Sequence, residues 1–192
     1  MAIERFNITR NEMDDDTKIM LRLKNGDRAA FDELYNRFSK KIYNYVMRYT
    51  GNTHTAEDIT QEVFVKMYRA AKQYEPTARF STWIFTITTN LCINEYNRRK
   101  GIQLEDDIEQ YNSKDAQNTT EDHVILNDME QKLLKSMDAL PANQRSALLL
   151  RIYGGMDYEE IARVLHVSPK AVKSLLNRAR GRLINEHKRD FL

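Results

Sequence analysis

Six cations and no acid fall between Arg163 and Arg182, and their order is informative. Lys170, Lys173, Asn177 and Arg180 stand at i, i+3, i+7 and i+10, with Ser174 and Arg178 beside them. Such spacing aligns side chains along one side of a helix. Lys and Arg neutralise phosphates, while Asn, Ser and Lys also reach base edges in a groove. A second polar stripe lies upstream, where Thr86, Asn90, Asn94 and Arg98 recur every four residues behind a loop carrying Tyr74, Phe80 and Trp83. Amides, a basic end and aromatic faces suit unstacked single-stranded bases. Aromatics at helical spacing suit a core equally well, so the second stripe alone leaves both readings open.

Chemistry of other kinds finds little footing. His54, His123, His166 and His187 are scattered, with no helical metal pair and no activated nucleophile. No catalytic residue, metal site or cofactor is expected, and the chain reads as a non-enzyme. A single cysteine, Cys92, excludes an intramolecular disulfide framework and reads as a small core residue in a reducing interior. No apolar stretch approaches the ~18 residues of a membrane span. The N-terminus, MAIERFNITRNEMDDD, has neither a basic nor an apolar leader region, so a cytoplasmic protein without membrane insertion is expected.

The elements that must hold these stripes are helices. With only 6 Gly and 3 Pro in 192 residues, turn-rich all-β classes are disfavoured and long helices favoured. Residues 27–49 carry Phe31, Leu34, Tyr35, Phe38, Ile42, Tyr43 and Val46 at threes and fours, and Gly51-Asn52 stops them. Residues 56–74 repeat the pattern with Ile59, Val63, Phe64 and Met67. A loop follows at Glu75-Pro76-Thr77-Ala78, since proline biases its predecessor away from helix. Helix resumes by Ser81, with Trp83, Ile84, Ile87 and Leu91 toward the core, and ends on Arg98-Arg99-Lys100, cations that complement a helix C-terminus. Further helices are expected near 124–140, 142–153, 158–165 and 169–186, with Pro141 at a first helical position and Gly154-Gly155 as a stop.

The last two of these form a helix-turn-helix. Asp157 and Glu160 make a capping box, Ile161, Ala162 and Leu165 give the first helix its apolar face, and His166-Val167 make the turn. Ser168 is an N-cap before Pro169, and Val172, Leu175, Leu176, Ala179 and Leu183 bury the second helix. This short-turn pair is the arrangement of DNA-binding units.

Charge divides the chain further. Residues 1–100 hold 17 basic and 13 acidic side chains, residues 101–128 one basic and eight acidic, and residues 129–192 12 basic and seven acidic. An all-α protein is expected, with two small helical domains at 1–100 and 129–192 joined by an acidic, flexible linker at 101–128.

The segments FDELYNRF, AEDITQEVFVKMYRAAKQY, FSTWIFTITTNLCINEYNRRK and LPANQRSALLLRIYGGMDYEEIARVLHVSPKAVKSLLNRARGRL together resemble the extracytoplasmic-function sigma factors, the two-domain members of the bacterial sigma-70 family. The resemblance runs from about Ile19 to Asn185 and implies σ2 and σ4 domains in a promoter-specificity subunit of RNA polymerase. It implies that Asp58, Gln61, Glu62, Phe64 and Lys66 bind core polymerase at the clamp helices of β′, with the β flap as a further contact. It implies −10 binding and melting by Tyr74, Glu75, Thr77, Ala78, Arg79, Phe80, Trp83, Thr86, Asn90, Asn94 and Arg98. It implies −35 reading by Ser168, Pro169, Lys170, Lys173, Ser174, Asn177, Arg178 and Arg180, the linker threading toward the RNA exit path, and an anti-sigma partner. An autonomous helix-turn-helix regulator is the alternative, and it leaves the stripe of Thr86, Asn90, Asn94 and Arg98 and its loop unexplained.

Several positions depart from the family pattern. Asn94 stands where the family usually has Asp, Asn97 interrupts the basic run, and His166 occupies a turn position that often holds Gly. Lys170-Ala171 replaces the usual Gly-Thr and Leu175 a common Arg, so the second helix carries its own base-reading chemistry and no promoter sequence transfers.

Overall fold

The computed structural model describes residues 13–101 and 136–189. Among them every regular element is a helix: α1 (Asp15–Lys24), α2 (Ala29–Thr50), α3 (Thr53–Ala70), a 3-10 turn (Ala71–Gln73), α4 (Phe80–Arg99), α5 (Ala142–Ile152), α6 (Tyr158–Val164) and α7 (Pro169–Arg189). The expected acidic linker, apart from Gly101, and most of the expected helix at 124–140 lie outside the described residues. None of these helices is long and apolar enough to cross a membrane.

Helix α1 is the element that periodicity does not reveal, because it opens on a run of acids. Its signal is capping. Asp14 accepts from the Thr17 N–H at 2.7 Å, Asp15 and Asp16 lie at the positive end of the helix, and Arg22 and Lys24 at the other. Only Thr17, Ile19, Met20 and Leu23 turn inward.

The remaining helices follow their signals closely. Gly51 takes φ +66° and its N–H closes α2 on the Met47 carbonyl at 2.8 Å. Asn52 then caps α3 through the Thr55 N–H at 2.8 Å. The buried row of α2 runs Leu34, Phe38, Ile42, Tyr45, Val46 and Tyr49, while Phe31 and Tyr43 are half-buried and Tyr35 is exposed. In α4 the expected inward row does pack against the core, but it supplies only part of the interior. Ile84 is buried, but Trp83, Ile87 and Leu91 are half-buried, and the interior is filled by Phe80, Phe85, Thr88, Thr89 and Cys92. Thr88 and Thr89 can take that place because their hydroxyls find partners: Thr88 donates to the Ile84 carbonyl at 2.9 Å, and Thr89 Oγ1 is hydrogen-bonded with Tyr45 Oη of α2 at 3.1 Å.

In the second lobe, Pro141 precedes α5 rather than opening it, with ψ 147° and no helical hydrogen bond of its own to lose. Helix α5 is buried from Gln144 through Leu150, since α7 covers one side of it and α2 and α4 the other. Gly154 is required, because a Cβ there would sit 2.6 Å from the Leu150 carbonyl oxygen. The two lobes therefore pack on one another, α5 on α2 and α4, and α6 on α4.

Candidate nucleic-acid interface

The capping box of the helix-turn-helix forms as expected: Glu160 N–H donates to Asp157 Oδ1 at 2.8 Å and Asp157 N–H to Glu160 Oε2 at 3.0 Å. The turn closes through the Val167 N–H on the Ala162 carbonyl at 3.0 Å, and to do so His166 adopts φ +53°. A glycine would reach that left-handed region without the clash His166 meets. Ser168 then caps α7, accepting from the Ala171 N–H at 3.2 Å. That bond occupies the Ser168 hydroxyl as an acceptor and fixes the start of the helix.

Along α7 the two faces separate cleanly. Val172, Leu176 and Ala179 are buried and Leu175 and Leu183 half-buried, while Lys170, Lys173, Asn177, Arg178 and Arg180 are exposed, and Ser174 and Pro169 are partly so. None of Lys170, Lys173, Arg178 and Arg180 has an acidic partner among the described residues. A helix locked by its apolar face and carrying unneutralised cations on the other can lay that face along phosphates and base edges.

The upstream site is built differently from expectation. Tyr74 and Phe80 are 2% and 0% exposed, so neither can serve as a stacking surface for a base. They are core because the loop between α3 and α4 is anchored by its aromatic ends. Tyr74 packs edge-on against Trp83 at 5.1 Å and Phe80 against Phe38 at 5.1 Å. Burial pushes the Tyr74 phenol up to about 12. Glu75, Thr77 and Arg79 are exposed, Ala78 and Trp83 half-buried, and a tight Thr77 N–H to Glu75 carbonyl bond of 2.8 Å shapes the loop.

On α4 the polar stripe is real but uneven. Asn90 and Asn94 are exposed, Thr86 is half-buried and donates to the Thr82 carbonyl at 2.9 Å, and Arg98 is engaged by both oxygens of Glu95 at 2.8 and 3.0 Å. Burial alone would raise the Glu95 carboxyl, yet hydrogen bonds from Arg98 and Arg99 hold it below its usual range. Arg79 reaches the other lobe, pairing with Glu160 at 3.3 Å. The same carboxylate thus caps α6 and holds the loop.

A third surface lies on α3. Asp58, Gln61, Glu62 and Lys66 are exposed on α3, with Lys66 and Glu62 paired at 3.4 Å. Phe64, expected there as a contact, is 3% exposed and belongs to the interior, where the Tyr35 ring covers it at 4.7 Å. Around it are exposed apolar groups: Tyr35, which periodicity put in the apolar row of α2, and Val65 and Tyr68, which it missed, 45, 39 and 53% exposed. They line a groove of about 850 Å³ between α2 and α3 with Phe31, Gln61 and Arg69. The signal available in the sequence was an excess of apolar positions on α2 and α3 beyond one face.

Residues 34–102 match the family model described as Sigma-70 region 2, and residues 130–183 that described as Sigma-70, region 4. The chain is 34% identical over 171 residues to the ECF RNA polymerase sigma factor SigE of Mycolicibacterium smegmatis, covering 87% of this chain and 64% of that one, just under two thirds of its length. It is 28% identical over 178 residues to the ECF RNA polymerase sigma factor SigW of Bacillus subtilis, covering 86% of this chain and 93% of that one. Its fold is similar to CnrH in complex with the cytosolic domain of CnrY, with a TM-score of 0.71 at 21% identity over 92% of this chain and 99% of that one. It is also similar to the sigma factor RpoE of Bartonella quintana, solved with the anti-sigma factor NepR, with a TM-score of 0.60 at 23% identity over 82% of this chain and 96% of that one.

Proposed function

The chain belongs to the extracytoplasmic-function branch of the sigma-70 family, the RNA polymerase-binding factors that confer promoter-specific initiation, and from that premise we propose how its surfaces divide the work. The lobe of α1–α4, within residues 1–100, docks on core polymerase and captures the opened −10 strand. The lobe of α5–α7, within residues 129–192, anchors the complex upstream at −35.

For −35, Lys170, Lys173, Ser174, Asn177, Arg178 and Arg180 face the major groove, the cations chiefly on phosphate and Asn177 on a base edge. The observation that carries this reading is the cationic face of α7, without acidic partners among the described residues and set at a fixed angle by the Ser168 cap and the His166 turn.

For −10, the loop groups Glu75, Thr77, Ala78 and Arg79 and the amides Asn90 and Asn94 take the flipped base, with Thr86 and Arg98 flanking. Tyr74 and Phe80 form the floor on which the loop rests, and Trp83 offers its half-exposed edge. Extruding a base costs a few kcal/mol, so hydrogen bonds from these groups must tip the balance.

For polymerase, Gln61 lines the Tyr35–Val65–Tyr68 groove and Asp58, Glu62 and Lys66 are exposed on the same helix, and together they suit a helical partner such as the β′ clamp. Aromatics at the centre of a contact and charges at its rim are the usual division of affinity and orientation. Covalent chemistry stays with the polymerase, in the cytoplasm where it works. An anti-sigma partner belongs to the proposal, because the Bartonella relative was solved with one.

The test is run-off transcription with this chain, bacterial core polymerase and a promoter library. Start-site-selective RNA that depends on the chain is the expected result. Its absence on every template overturns the proposal, and a footprint at a specific site without polymerase would favour an autonomous regulator.

A further inference from the structure

The loop between Tyr74 and Phe80 is held at both ends by a helix that presents no group to DNA in the reading above. Lys24 Nζ donates to the Tyr74 carbonyl at 2.8 Å, where the loop begins. The Phe80 N–H, where the loop ends, donates to Thr17 Oγ1 at 3.1 Å. Phe80 is the first residue of α4, and Arg79 before it makes no side-chain cap, so Thr17 satisfies from another helix a donor the loop leaves orphaned. Thr17 is fully buried and is itself held, its N–H on Asp14 Oδ1 at 2.7 Å.

Thr17 and Lys24 are seven residues apart on α1. Seven residues are two helical turns, so both project from one face about 10 Å apart along the axis. Helix α1 therefore spans the loop like a ruler and fixes the separation of its ends. Between them Glu75 and Thr77 remain exposed, and Arg79 is exposed while paired with Glu160 at 3.3 Å. A loop that must accept one base gains affinity from being held in its binding shape before the base arrives.

We infer that α1 is a positioning element for base capture, with Thr17 and Lys24 setting the mouth of the −10 loop. The inference rests on the reading of that loop proposed above. Neither residue touches the base; both act through the loop backbone.

The experiment reconstitutes the full chain with core polymerase on a promoter selected by the wild-type holoenzyme from a randomised library. Closed-complex affinity and the rate of isomerisation to the open complex are measured separately. Lys24→Met and Thr17→Val should slow isomerisation roughly tenfold, the loss of one hydrogen bond to the loop backbone, with closed-complex affinity and core binding unchanged. Lys24→Arg and Thr17→Ser keep a donor and an acceptor and should restore the rate. Lys18→Met, on the same helix but paired with Asp15 at the surface, should leave it alone. Arg79→Ala reports on the loop itself. If Arg79→Ala slows opening while Lys24→Met and Thr17→Val do not, the inference fails and the loop reading survives. If none of the three slows it, both fail. If Lys24→Met and Thr17→Val lower core binding and closed-complex affinity in step with opening, α1 merely supports the fold and the inference fails. Should Thr17→Val not fold, Lys24→Met against Lys24→Arg at the half-exposed end decides alone.

Discussion

Arg145 donates from Nη1 to the backbone carbonyl of Tyr49 at 2.7 Å, across the boundary between the two lobes. Tyr49 lies in the last turn of α2, where carbonyls have no partner within the helix, so a cation placed there meets both an open acceptor and the negative end of the helix dipole. Arg99 does the same one residue on, donating to the Thr50 carbonyl at 2.8 Å. The Arg145 guanidinium also lies over the rings of Tyr49 and Tyr96, 5.3 and 5.1 Å from their centroids, and pairs with Asp138 at 2.8 Å.

Arg145→Met keeps the aliphatic stem and removes every one of those bonds. It should cost about 2–3 kcal/mol, the range for hydrogen bonds to a charged group whose partner is left buried. Urea unfolding measures the loss. Small-angle X-ray scattering of the free protein should show a larger radius of gyration as the lobes separate. An unchanged radius with full stability would mean the lobes are held elsewhere.

Glu95 gives the fold a pH dependence of known sign. Burial works against its charged form, but bonds from Arg98 and Arg99, each as short as 2.8 Å, outweigh burial and lower the carboxyl from its ordinary 4.5. The folded group thus titrates below the unfolded one. Its contribution is complete above the unfolded value and is lost as pH falls through the folded one. Denaturation midpoints of the wild type and Glu95→Gln should accordingly lie furthest apart near neutrality and converge on acidification below 4.5. A gap that stayed constant down to the acid transition would contradict the shift.

The two nucleic-acid surfaces should separate kinetically. Asn90 is exposed on α4 and Lys173 on α7, and in the proposed division of work the first acts after the strands part and the second before. Asn90→Ala should slow opening more than it weakens the closed complex. Lys173→Ala should weaken upstream binding at all sequences and lower the salt slope by about 1, as a lost phosphate contact does. DNase footprints and opening rates over a salt series distinguish them, and equal effects of both changes on both steps would contradict the division.

How much of this was legible in the sequence depends on how local the cause was. The capping box of Asp157 and Glu160, the Ser168 cap and the stop at Gly51 are decided within a few residues, and each stands where the sequence puts it. The face of α7 was legible for the same reason, since one apolar row meets one neighbour. Helix α4 was harder because it is covered from several sides, and buried threonines such as Thr88 look polar until their local hydroxyl partners are known. Tyr74, Phe80 and Phe64 misled in the other direction. An aromatic beside a functional loop reads as a contact, and only tertiary packing shows that its ring is the floor. Thr17, Lys24 and Arg145 could not be found from spacing at all, for their partners are backbone atoms 50 to 96 residues away.

The turn between α6 and α7 allows the sharpest local test. His166 is the one non-glycine residue with positive φ among the described residues, at +53°, and it is exposed, so no packing compensates for the strain. A left-handed residue with a Cβ costs roughly 1–2 kcal/mol, part of which a glycine returns as extra freedom of the unfolded chain. His166→Gly should therefore raise stability modestly, by up to about 1 kcal/mol. His166→Val should lower it by more, because a β-branched side chain is the worst fit to that region. Thermal unfolding of the two variants orders them as glycine, wild type, valine. Since the turn sets the angle of α7, His166→Val should also weaken −35 binding while leaving core polymerase binding intact, and His166→Gly should preserve both. A valine variant as stable as the wild type would show that the turn can close without the left-handed residue.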